Sequence, residues 1–117
     1  MTITVSFRMP QVLVRAVRDD AAERRMSVSA CVAWLLDIAL QDELDLSALP
    51  DTRERLDGKV DCRLPAEILS RLRPVCKQFR VSPSVYIRTL MYAGFTRRLR
   101  LEQVKGRYKL VANHDQN

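Results

Sequence analysis

Apolar and polar residues alternate from the first positions of the chain: Ile3, Val5, Phe7 and Met9 fall on one side, Thr4, Ser6 and Arg8 on the other. The same period of two returns with Val60, Cys62 and Leu64 opposed to Lys59, Asp61 and Arg63. Each run predicts a half-buried strand, closed by a proline that cannot donate a ladder hydrogen bond. Past each proline the period lengthens. Leu13, Val17 and Ala21, then Ile68, Leu72 and Cys76, recur at helical spacing and predict a first helix of about four turns. Pro74 falls inside the second of these, where an interior proline costs ~3 kcal/mol, so a kink or a later helix start is expected there. A second helix is predicted after each Ser-x-Ser. Ser27 and Ser82 suit the capping position, with Pro83 at the first helical residue. The apolar stripes of these helices are Val32, Leu35, Leu36, Ala39, Leu40 and Ile87, Leu90, Met91, Gly94, Phe95. Trp34 and the methionines are expected in the core.

The two sets of elements are one unit written twice at a spacing of 55 residues. Val5-Ser6-Phe7-Arg8-Met9-Pro10 recurs as Val60-Asp61-Cys62-Arg63-Leu64-Pro65, and a Ser-x-Ser follows each proline by 17 residues. Between positions 4–41 and 59–96 only eight residues are identical, yet the apolar positions mostly coincide (Val17 with Leu72, Val32 with Ile87, Leu40 with Phe95). A unit of about forty residues is too small to hold a core alone, so the copies read as two halves of one domain spanning 1–117. The first copy covers 3–45 and the second 59–103, joined by a connector at 46–58 that reaches ~43 Å if fully extended. After Thr96 the helix is expected to continue to about Gln103, followed by a basic tail over 104–117.

Charge is unevenly distributed. The net charge of +6 combines seven basic against ten acidic residues in positions 1–58 with thirteen against four in 59–117. A basic domain with an acidic connector points to a polyanionic partner, nucleic acid ahead of a membrane surface. The longest apolar run, Val28 to Leu40, is broken by Ser29 and Asp37 and is shorter than the ~20 residues of a membrane span. No secretory pattern opens the chain, so a cytoplasmic location is expected. Cys31, Cys62 and Cys76 are odd in number and lack metal-type spacing, which reads as small buried hydrophobes in a reducing compartment. His114 has no nucleophile or carboxylate arrangement around it, and there is no glycine-rich phosphate loop. The expectation is a protein without enzymatic activity, metal or cofactor.

Strand–helix–helix, with Arg before a hydrophobe and Pro at the strand end and a capped second helix, resembles the ribbon-helix-helix family, the fold of the Arc and MetJ repressors. The resemblance covers about 80 residues. It implies a mainly α fold in which the two strands pair as one antiparallel β-ribbon over a four-helix core, here as an intramolecular pseudo-dimer. Independently, one strand with one apolar face cannot satisfy its own edge, and a second copy supplies the partner. By the resemblance, Thr4, Ser6, Arg8, Lys59, Asp61 and Arg63 on the outward face become base readers in the major groove. Arg suits the guanine acceptors, Ser and Thr are adaptable, and Asp accepts from cytosine. The plain alternative for Arg8 and Arg63 is a solvated face, and Asp61 departs from what a phosphate-lined groove favours; it could serve to hold Lys59 or Arg63.

The plain reading of Ser27, Ser29, Ser82 and Ser84 is helix capping; the resemblance implies that the same helix starts clamp phosphate, which free amides there also favour. Arg97, Arg98, Arg100, Lys105, Arg107 and Lys109 are candidates for further phosphate contacts or for a solvated extension. The leading expectation is a double-stranded DNA-binding protein, either a transcriptional regulator or an accessory factor in plasmid or T-DNA processing and transfer. It is expected to be monomeric and to join a nucleoprotein complex, with an asymmetric site because Thr-Ser-Arg differs from Lys-Asp-Arg. The competing class is an antitoxin-like protein-interaction module whose basic tail binds a protein partner.

Overall fold

In a computed structural model that describes residues 1–112, the chain folds as β1 (Thr2–Met9), α1 (Gln11–Glu23), α2 (Val28–Gln41), β2 (Gly58–Pro65), α3 (Ala66–Phe79), α4 (Pro83–Phe95), β3 (Leu99–Val104) and β4 (Arg107–Ala112). The two β-α-α units pair their strands into one antiparallel ribbon with Ser6 opposite Asp61, Val5 opposite Cys62 and Phe7 opposite Val60. Phe7, Met9, Val60, Cys62 and Leu64 are buried beneath the ribbon, whereas Ile3, near its outer end, is 39% exposed. The units are intertwined. The second helix of each lies on the other unit's strand, α2 on β2 and α4 on β1. Val32, Leu36, Leu72 and Ile87 meet in a single core with the strand residues. Neither half retains that core without the other, so each unit needs a second copy to pack against.

Helix starts are exchanged between the units too. Prolines precede α1 and α3 and offer no side-chain cap. The Gln11 amide instead donates to Asp57 Oδ1 at 2.9 Å, and the Ala66 amide donates to the Met1 carbonyl at 3.1 Å. In each case the acceptor lies just ahead of the other unit's strand. Ser27 and Ser82 accept from Ala30 and Val85 at 3.0 and 3.2 Å and start α2 and α4, as the Ser-x-Ser spacing predicts. Arg25 and Arg80, at equivalent repeat positions, both take positive φ (56° and 57°) between the paired helices. Pro74 neither delays nor ends α3, which begins at Ala66. Its ring is on the exposed face, where water can solvate the Ser70 carbonyl that loses its amide partner.

The segment between α2 and β2 is fastened down. Leu46 is buried and Leu44 and Leu49 pack on the core. The Tyr86 hydroxyl donates to the Leu44 carbonyl at 2.9 Å, and Arg88 grips Asp51 with contacts of 3.0 and 2.7 Å. Gly58 ends this segment in close quarters: a Cβ there would lie 2.6 Å from Val14 Cγ2 and 2.9 Å from the Met9 carbonyl.

The C-terminal region corrects the sequence reading. α4 stops at Phe95 rather than Gln103, and residues 99–112 form a second two-stranded sheet in place of helix and tail. Arg97 at φ 60° ends the helix, and Lys105 and Gly106, at φ 51° and 80°, form the two-residue turn that hairpins favour. Pairing of Leu101 with Leu110 and Leu99 with Ala112 puts one apolar face against α2 and α4. Trp34 is only half buried; Tyr108 meets it edge-on at 5.4 Å and the Arg24 guanidinium lies 4.9 Å over its ring. His114 and the rest of the tail beyond Ala112 lie outside the described residues.

Candidate nucleic-acid interface

The outward ribbon face carries Thr4, Ser6, Arg8, Lys59, Asp61 and Arg63, all exposed. Their register makes three cross-strand pairs: Thr4 with Arg63, Ser6 with Asp61, and Arg8 with Lys59. Successive outward residues on one strand are ~7 Å apart, so each strand presents three side chains over ~14 Å. The B-DNA major groove, ~12 Å wide, admits a two-stranded ribbon.

Asp61 lies at the pseudo-twofold centre and is partly occupied. It accepts a short hydrogen bond from the Ser6 hydroxyl, and Lys59 Nζ lies 3.9 Å from the same oxygen. Arg63 is not its partner, which decides between the two cations that the sequence offers this carboxylate. Arg8 and Arg63 make no side-chain ion pair among the described residues. Arg8 stands directly opposite Lys59, a like-charge pairing that costs stability in an isolated ribbon and is relieved by an anion.

The two helix starts beside the ribbon differ. At α2, the Ser29 hydroxyl accepts from the Arg63 backbone amide at 2.9 Å, pinning β2. At α4 the equivalent serine, Ser84, makes no such bond, and Arg88 instead donates to the Arg8 carbonyl at 3.3 Å. A helix leaves its first amides without internal acceptors. Val28 and Ser29 supply two such donors at α2, whereas Pro83 has none and leaves Ser84 alone at α4. The two helix starts are therefore unequal in free donors as well as in hydroxyl engagement.

Sequence reasoning missed Arg18. It lines a hollow of about 310 Å³ with Val14, Val28, Lys59, Val60 and Asp61, beside the ribbon. Its one signal is that Arg18 and Arg73 are among the eight identical repeat pairs. Arg88 was missed as well, because it acts through the Arg8 backbone and has no counterpart in the first copy.

The six basic candidates beyond α4 are dispersed. Arg97 follows the helix directly, and Arg98 lies 5.9 Å over Tyr92. Arg100 pairs with Glu102 at 2.9 Å and Arg107 with Asp42 at 3.3 Å. Lys105 is in the hairpin turn and Lys109 is exposed on β4. The hairpin meets α2 at Trp34 and its C-terminal cap at Asp42, whereas the ribbon meets α2 and α4 in their first two turns, through Ser29 and Arg88.

The cysteines are free and buried, as their positions predict. Burial pushes the Cys62 and Cys76 thiols up to about 11, which leaves little thiolate at neutral pH. Among the described residues no three His, Cys, Asp or Glu side chains gather as a metal site, and no helix is long and apolar enough to cross a membrane. Comparison with protein-family models, curated proteins and solved structures finds no match for this chain.

Proposed function

We propose that the chain is a ribbon-helix-helix-type protein that binds double-stranded DNA, placing its β-ribbon in the major groove as a built-in pseudo-dimer. The observation that carries this reading is the outward face: six exposed polar side chains on a rigidly backed ribbon, with Arg8 and Lys59 set opposite one another. Arg8 and Arg63 would contact guanine acceptors, Thr4 and Ser6 adapt to either base, and Asp61, already bonded to Ser6, would select a cytosine amine near the centre. Ser27, Ser29, Ser82 and Ser84 would frame phosphate contacts at the two helix starts, with Arg18 reaching the backbone alongside. The unequal copies call for an asymmetric site. Regulation of transcription, or accessory work in plasmid or T-DNA transfer, is what the ribbon-helix-helix resemblance implies for such binding.

The test is a pair of titrations on duplex DNA, one against salt and one with arginine variants. Binding should weaken linearly in log–log form as salt rises, by ~0.9 in slope per neutralised phosphate. Arg8→Ala and Arg63→Ala should each cost ~1–3 kcal/mol on a preferred duplex and keep native melting, since both side chains point away from the core. Unchanged affinity in the double variant, with native melting, would overturn the ribbon assignment.

A further inference from the structure

We propose that the hollow beneath the C-terminal hairpin is a binding site for a small amphipathic carboxylate, an apolar body ending in one carboxylate group. The hollow measures about 350 Å³, within the range of small-molecule sites. Its floor is apolar, built from Leu35, Leu90, Met91, Leu99, Leu101 and Leu110. Its rim carries Arg24, Arg97 and Arg100 against a single carboxylate, Asp20.

The rim charges are unequally committed. Asp20 is hydrogen-bonded to Arg24 at 3.0 Å, and Arg100 is paired with Glu102 at 2.9 Å. Arg97 has no acidic partner among the described residues, and its backbone is held at the end of α4 by its amide on the Gly94 carbonyl at 3.4 Å. A guanidinium in that setting offers a paired, charge-assisted bond to a carboxylate. The carbonyl end of α4 opposes an anion, but a helix-end charge effect is weaker than a direct bond of that kind.

Gly94 supplies an independent observation. Glycine inside a helix is destabilising relative to alanine. Here it satisfies no positive φ, and a Cβ added to it would meet nothing within 4 Å. The repeat-equivalent residue, Ala39, is 1% exposed, so the first copy closes the corresponding position. Without a side chain, Gly94 keeps the hollow open, and Phe95 stands 37% exposed beside it. The carboxylate's apolar body would lie along this floor with its head at Arg97. The site is separate from the ribbon and does not depend on DNA binding.

The experiment titrates the full chain with decanoate, kept below its micelle concentration, and with 2-naphthoate, decanol serving as the uncharged control. Binding is read by calorimetry and by fluorescence of Trp34, the single tryptophan, which Arg24 covers. Saturable one-to-one binding of either acid is expected; decanoate alone assigns a flexible chain, and 2-naphthoate alone a rigid ring. Gly94→Leu, which fills the hollow, should weaken binding at least about ten-fold. Arg97→Gln should weaken the acid roughly ten-fold and leave decanol unaffected, the effect of one charged hydrogen bond. Where Gly94→Leu does not fold, Arg97→Gln on the exposed rim carries the test alone. No saturable binding of either acid, decanol binding as tightly as decanoate, or full affinity in folded variants would overturn the proposal.

Discussion

Arg88 joins three parts of the molecule, and its replacement should loosen all three. The guanidinium donates to both Asp51 oxygens at 3.0 and 2.7 Å and to the Arg8 carbonyl at 3.3 Å, linking α4 to the connector and to β1. Arg88→Met keeps the apolar stem and removes only the charged head. The Arg88 side chain is 12% exposed and that of Asp51 37%, so the pair falls between a surface pair, worth at most ~1 kcal/mol, and a buried one, whose breakage costs ~3–5 kcal/mol. A loss of about 2 kcal/mol is expected, which for a domain of this size lowers the melting temperature by roughly 8 °C. The hydrogen bond from Arg88 holds the Asp51 carboxyl below the ordinary carboxylate range. A depressed carboxylate stabilises fully above its unfolded value of ~3.9, and the contribution disappears as pH falls through the lower folded value. Melting curves from circular dichroism should therefore separate wild type and variant at neutral pH and converge in strong acid. Asp51→Asn combined with Arg88→Met should cost little more than either alone. Equal melting at pH 7, or a gap that persists undiminished in acid, would refute the linkage.

Gly58→Ala should destabilise by ~1–3 kcal/mol in urea unfolding, because its Cβ would overlap Val14 and the Met9 carbonyl; wild-type stability would show that this junction relaxes. Light scattering in dilute solution should report a mass near 13.5 kDa, since the connector gives the two halves a millimolar effective concentration for each other. A dimer that persists on dilution would mean that the same ribbon forms between chains. Replacing Lys105 and Lys109 by glutamine should leave the salt dependence of DNA binding unchanged, since the hairpin meets α2 away from the ribbon; a slope flattened by ~0.9 for each phosphate no longer neutralised would bring the hairpin into the interface.

Much of the fold was readable because the chain states it twice. A single run such as Val60-Asp61-Cys62-Arg63-Leu64 is weak, but its recurrence fixes the strand, its inward face and, through the pseudo-twofold, the pairing of Ser6 with Asp61. The hairpin lies outside the repeat, so no second copy constrains how it is read. The basic run Arg97-Arg98-Leu99-Arg100 is compatible with a helix, and only the positive φ of Arg97 and the Lys105-Gly106 turn show why it is not one. Within the candidate interface, alternation identified the six outward residues. The engagement of Ser29 with the Arg63 amide, and of Arg88 with the Arg8 carbonyl, are contacts to backbone across 34 and 80 residues that side-chain pattern does not encode.

That this ribbon reads duplex DNA from the major groove is tested most directly by methylation interference. A duplex selected by the full chain from a random pool would be methylated sparsely at guanine N7, which lies in the major groove, and at adenine N3, which lies in the minor. Methylation at N7 should block binding at guanines within one asymmetric patch of about half a helical turn, the length that the ribbon's three outward residues per strand cover. Failure of the chain to enrich any duplex, or interference confined to adenine N3, would contradict major-groove reading by the ribbon.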